Sequence, residues 1–121
     1  ATQDATTLID EFSAASSAND GKAAAALLTS DAVLWSNGTT ISGRTAIANE
    51  IATTPGLRVE RTAPVTVEGD FASTFTSFSA SVAGVTDAPT VTVYQLKDGK
   101  IFRLWDFALG VTPPFNSTAT P

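Results

Sequence analysis

The chain has 121 residues, 43% of them hydrophobic and 16% charged, which is enough apolar surface for one domain with a core and too much for a disordered chain. A net charge of −5 with 7 scattered basic residues excludes a phosphate-neutralising surface, and so argues against nucleic acid or an anionic membrane as partner. Neither cysteine nor histidine occurs, which removes disulfides, thiolate chemistry and the common zinc, haem and copper ligands, so no metal and no cofactor is expected.

Thr6 to Ala18 places Leu8, Phe12 and Ala15 at helical spacing, with Asp4 or Thr6 available as N-cap, and predicts a first helix. Asn19-Asp20-Gly21 breaks it, and Asp20 caps a second helix through Ala23–Leu28. That alanine-rich run is also the longest uninterrupted apolar stretch, far short of the roughly 20 residues a bilayer span needs. Asp31 to Trp35 reads as a strand closed by the turn Ser36-Asn37-Gly38. Ser42 then caps a third helix through Ala46, Ile47 and Ile51, which ends before Pro55-Gly56.

Beyond Gly56 the pattern turns to β. Leu57–Glu68, Phe71–Ala83, Thr90–Lys97 and Lys100–Val111 are four strand segments, separated by Gly69-Asp70, a Gly84-to-Pro89 loop and the hairpin turn Asp98-Gly99. Pro64 marks an edge or bulged position, because proline cannot donate to a ladder. Residues 112–121, with three prolines, are expected to form an extended tail, leaving 1–111 as a single domain. Helices gathered at the start and an antiparallel sheet at the end predict an α+β fold in which a cone-shaped, curved sheet wraps three N-terminal helices.

The chain contains no methionine, so as given it is expected to be processed, and Ala1 suits cleavage after a small residue. Asn37-Gly38-Thr39 and Asn116-Ser117-Thr118 are glycosylation sequons. These features together predict a secreted, extracellular protein, with a cytoplasmic one carrying a removed tag as the alternative.

The element order, with Gly43-Arg44-x-Ala46-Ile47 at the third helix and Gly99-Lys100-Ile101 followed by Trp105-Asp106, resembles the nuclear transport factor 2-like superfamily and, within it, SnoaL-like proteins. The resemblance implies a pocket inside the cone and a homodimer formed through the sheet. SnoaL-like cyclases often carry a histidine two residues before the strand aspartate; here Asp106 is kept and that position is Leu104. The ketosteroid isomerase group, similar in fold, places a catalytic aspartate just after the first strand, where this chain has Ser36.

Asp106 is the foremost candidate catalytic residue. Facing the cone between Trp105 and Phe107, it would be desolvated, its pKa would rise, and it could act as acid or base. The alternative is a hydrogen-bonded structural carboxylate. Arg58 and Glu60 lie two apart on one strand face and could join Asp106 in a set like that of limonene epoxide hydrolase relatives; otherwise they form an exposed cross-strand pair. Trp35, Tyr94, Leu104 and Trp105 are candidate pocket lining with Asp106, although such aromatics more often fill cores. The uncharged strand carrying Phe71, Phe75, Phe78 and Val82 is expected to be covered by a second subunit. Two functions stay open. The first is a secreted, non-catalytic, effector-like domain that binds a small apolar ligand or a host or partner protein. The second is a cofactor-independent isomerase, cyclase or epoxide hydrolase using Asp106.

Overall fold

The structure, a computed structural model, describes residues 2–36, 38–81 and 84–109. Asn37, Val82, Asn116 and the tail from 112 onward therefore lie outside the described residues. The element order is α1 (Thr2–Ser17), α2 (Gly21–Ala25), β1 (Leu28–Ser36), β2 (Thr39–Ser42), α3 (Arg44–Thr53), β3 (Arg58–Arg61), β4 (Thr66–Glu68), β5 (Phe71–Ala80), β6 (Val85–Lys97) and β7 (Lys100–Ala108). These are the three helices and the curved open sheet of the α+β fold expected from the pattern.

Local signals account for most boundaries. Asp20 accepts a hydrogen bond from the Ala23 N–H at 3.0 Å, the cap that starts α2. Asn19, with φ 55°, turns the chain between the two helices, and its side-chain amide donates to the carbonyls of Ile51, in the last turn of α3, and Thr54, just after it. Asp98 and Gly99, at φ 53° and 76°, form the two-residue turn joining β6 to β7, as the Asp-Gly pair predicts.

Several boundaries differ from the sequence reading. Helix α1 begins at Thr2, so neither Asp4 nor Thr6 is a cap; both sit inside the first turns. Ser42 ends β2 paired with Val33, and Gly43 takes the N-cap place of α3 without a side-chain hydrogen bond. The segment 57–68 is two strands rather than one. Ala63-Pro64-Val65 interrupts it, and β3 and β4 pair with different parts of β5, which is the break that a residue without an N–H imposes. Strand β6 starts at Val85, because the span read as a loop pairs with the far end of β5.

The sheet order is β2-β1-β7-β6-β5-β3, with β4 also on β5; β1 and β7 are parallel and the other pairs antiparallel. One face packs on the helices. Ile9, Phe12, Ala24, Ile47 and Ile51 from the helices join Leu28, Ala72, Tyr94, Ile101 and Leu104 from the strands in one core. Helix α1 is also tied to β3: the Ser17 hydroxyl donates to the Val59 carbonyl at 3.1 Å and accepts from the Val59 N–H at 2.9 Å. Two turns earlier, the Arg61 guanidinium holds Asp10 with two hydrogen bonds of 2.8 and 3.0 Å, and this pairing keeps the Asp10 carboxyl below its usual range.

Candidate functional site

Strand alternation and register place every candidate side chain on one face or the other. Leu104 and Tyr94 are opposite each other across β7 and β6, and both are in the core, so residues two positions along share the inner, helix-facing side. Asp106 is therefore on the inner face, opposite Thr92 on β6 and level with Ser36 on β1. It is half-buried, and burial pushes its carboxyl up to about 6, partly offset by a hydrogen bond from Thr92. Tyr94 is 2% exposed; burial raises its phenol first, and the negative charges of Asp106 and Asp10 raise it further.

The same face carries a row of buried threonines. Thr74 opposes Thr92 and Thr76 opposes Thr90 across β5 and β6, with Thr76 and Thr92 joined hydroxyl to hydroxyl at 3.2 Å. The inner face thus presents one carboxyl group of raised pKa, several hydroxyls, and, elsewhere along it, the half-buried side chains of Leu34, Ile41, Val59 and Phe78 packed against the core. A carboxyl group of this kind can take up and return one proton near neutral pH. Among the described residues no group of three or more acidic side chains is close enough to hold a metal ion.

The remaining candidates lie elsewhere. Trp105 precedes Asp106 and points to the outer face, where it stacks on Trp35 with ring centroids 5.2 Å apart and 5° between planes. The two tryptophans flank the sheet from outside and do not line the inner face with Tyr94, Leu104 and Asp106. Arg58 and Glu60 also point outward, opposite Ser79 and Ser77, so they do not meet Asp106. The β3 arginine that reaches helix α1 is Arg61, one residue past Glu60, and it is already bound to Asp10. Phe71 and Phe75 are on the outer face at 44% and 50% exposure, whereas Phe78, an odd number of residues away, packs against the core.

Two features of the site were not anticipated from sequence. The threonine row had a readable signal, since Thr74-x-Thr76 and Thr90-x-Thr92 repeat at strand spacing, but threonine is equally at home on either sheet face. The Asp10–Arg61 pair joins residues 51 apart in the chain and had no local signal. A separate cleft of about 320 Å³ lies at the first turns of α1 beside the β4–β5 and β6–β7 turns; it is lined by Ala5, Leu8, Val67, Leu96 and neighbours and includes no residue of the inner-face site.

The profile of the SnoaL-like domain matches residues 9–104. No curated protein matches the chain. Among solved structures, a protein of unknown function with a cystatin-like fold from Methylobium petroleophilum superposes with a TM-score of 0.81 at 12% identity, covering 97% of this chain and 83% of its own. An LEH-like epoxide hydrolase from M. tuberculosis gives 0.73 at 19% identity, covering 88% and 84% of the two chains. A candidate polyketide cyclase from Sinorhizobium meliloti gives 0.72 at 25% identity, covering 84% and 94%.

Proposed function

Because the chain belongs to the SnoaL-like family, we propose that its inner sheet face is a small-molecule site in which Asp106 takes a proton from the substrate and returns it, without a cofactor. The observation that carries this reading is a single carboxyl group, on the face turned to the helices, whose pKa is pushed up to about 6 by burial. At neutral pH such a group is mostly ionised and still a useful base, and its conjugate acid is strong enough to give the proton back. In a carbon-acid substrate, Asp106 would remove the proton next to a carbonyl and the C–H electrons would move into an enolate; reprotonation at a second carbon would complete an isomerisation, whereas attack of the enolate carbon on a second carbonyl, with the proton returned to the resulting alkoxide oxygen, would complete a ring closure. Hydrolysis of an epoxide is less favoured, because Arg58 and Glu60 face away from Asp106.

The experiment is a screen of wild type and Asp106→Asn against β,γ-unsaturated cyclic ketones and small epoxides. Turnover of a ketone is expected, with kcat/KM rising with pH around an apparent pKa of about 6 and falling by about 10² to 10⁴ in Asp106→Asn. An active Asp106→Asn would remove the assignment.

A second reading, a secreted domain that binds a ligand or partner without turnover, is favoured by the outer face. Phe75, Val91 and Phe107 form one row across β5, β6 and β7, with Trp105, Trp35 and Phe71 beside it, and Phe75 and Phe107 are 50% and 53% exposed. We assign a second copy of the chain to this face. Its centre is uncharged, and on β3 Arg58 and Glu60 present opposite charges two residues apart, so a two-fold axis can set each arginine against the partner's glutamate. Light scattering of the wild type at micromolar concentration should give the mass of a dimer, and Phe75→Glu with Phe107→Glu should give a monomer of unchanged circular dichroism. A monomeric wild type would remove the homodimer. Secretion belongs to the same reading, and a glycosidase-sensitive mass after export from a eukaryotic host would support it at the sequons of Asn37 and Asn116.

A further inference from the structure

The four buried threonines of the inner face do not use their hydroxyls alike. Thr74 donates to the Ala63 carbonyl at 2.8 Å and Thr90 to the Ala88 carbonyl at 3.1 Å, which satisfies both locally and ties down the loop after β3 and the start of β6. Among the described residues, Thr76 and Thr92 make no such backbone bond. Their hydroxyls meet each other at 3.2 Å, both side chains are buried, and Thr92 is the direct partner of Asp106 in the β6–β7 register, on the same face, where it favours the ionised carboxyl against the effect of burial.

We propose that Thr92 and Thr76 are positioning residues for Asp106, forming a two-hydroxyl relay whose hydrogen bonds reverse when Asp106 changes protonation state. The chemistry follows from what each group can do. A carboxylate only accepts, whereas a carboxylic acid has one proton to donate. An arginine or a backbone N–H beside it can serve only the first form, because neither can accept. A hydroxyl serves both. With Asp106 ionised, Thr76 donates to Thr92 and Thr92 donates to the carboxylate. With Asp106 protonated, it donates to Thr92 and Thr92 donates to Thr76. Each state keeps every buried hydroxyl partnered, so neither arm of a proton-transfer cycle leaves an orphaned polar group.

The other groups turned toward this region leave Asp106 dependent on the relay. Strand β6 contributes Tyr94, whose phenol is raised and stays neutral. Helix α1 contributes Asp10, held by Arg61 of β3, and β1 contributes Ser36, level with Asp106. Arg61 is engaged by Asp10 and the Ala63 carbonyl, and no cation is among the causes that set the Asp106 carboxyl.

The inference rests on the proposed role of Asp106 for its use, yet its test needs no substrate. The Asp106 carboxyl carbon is titrated by NMR in the wild type, with Asp106→Asn assigning the signal, and then in Thr92→Val, Thr92→Ser and Thr76→Val. Thr92→Val keeps the shape and loses the hydroxyl, so the carboxylate loses its donor and the midpoint should rise by about one pH unit. Thr92→Ser should stay near the wild-type midpoint, and Thr76→Val should move it upward by less. An unchanged midpoint in Thr92→Val, or an equal rise in Thr92→Ser, would overturn the relay. If Thr92→Val does not fold, Thr76→Val, one bond further from the carboxyl, decides in the same way. Loss of the relay with retained dependence of turnover on Asp106 would leave the proposed function standing. An intact relay with an active Asp106→Asn would do the reverse.

Discussion

Asp106→Asn is expected to make the protein more stable at neutral and alkaline pH while abolishing the proton transfer proposed for this residue. The sign follows from the direction of the shift. An unfolded chain releases this proton near the ordinary value of 3.8, whereas the folded chain holds it up to about 6. Between those values the folded state binds more protons, so its stability falls as pH rises through the window, and the cost is fully present above it. Two pH units correspond to nearly 3 kcal/mol, and with the carboxyl partly in contact with solvent the expected cost is on the order of 2 kcal/mol. Asparagine keeps a hydrogen-bonding partner for Thr92 and has no charge to desolvate. Urea unfolding of both proteins across the range should therefore show Asp106→Asn more stable by about that amount near pH 8, with the difference closing toward pH 4. Equal stabilities at the alkaline end would mean that Asp106 is well solvated, and the basis for its role as a base would fall with the desolvation.

Gly21→Ala is expected to be among the most damaging of single-methyl additions to this chain. Gly21 is buried at the first turn of α2, and a Cβ built there would lie 2.5 Å from the backbone oxygen of Ala48 and 3.2 Å from the Ala52 Cβ, both on α3. The obstacle is backbone, which cannot rotate away, so the two helices must separate. Overpacking of this kind costs about 2 to 3 kcal/mol, equivalent to a fall in Tm of roughly 10 °C. Gly99→Ala serves as the comparison: its Cβ would meet nothing within 4 Å, but φ is +76°. Only the left-handed backbone penalty of about 1 kcal/mol applies there. A thermal melt showing Gly21→Ala no worse than Gly99→Ala would mean that α2 and α3 can slide apart freely, and that their packing does not hold the inner face.

These two glycines mark where reading the sequence works and where it stops. Gly99 follows Asp98 between two apolar runs, and that pair specifies a tight hairpin by its own backbone preferences. Gly21 follows Asn19-Asp20, and the break and the Asp20 cap are equally local. Its closeness to Ala48 is not, because that contact depends on how α2 is laid across α3. The splitting of 57–68 was half legible: Pro64 forbids a continuous ladder, but the separate pairing of β3 and β4 with β5 needed the neighbouring strand in place.

By itself the sequence determined the α+β class, the hairpin turn between β6 and β7 and the helix break at Asn19-Asp20, since each depends on short-range periodicity, capping and turn chemistry, while the family resemblance rested on short motifs at α3 and β7. Alternation also required that Trp105 and Asp106 face opposite sides of β7. Which of them goes inside was decided by the tertiary structure, where the β6–β7 register sets Leu104 against Tyr94 beneath the helices. That one registration sends Asp106 to Thr92 and both tryptophans to the outer face, and the same alternation on β3 turns Arg58 and Glu60 away from the carboxylate. The site is assembled from strands whose neighbours are remote in the chain, and the burial that shifts Asp106 does not exist until they close around it.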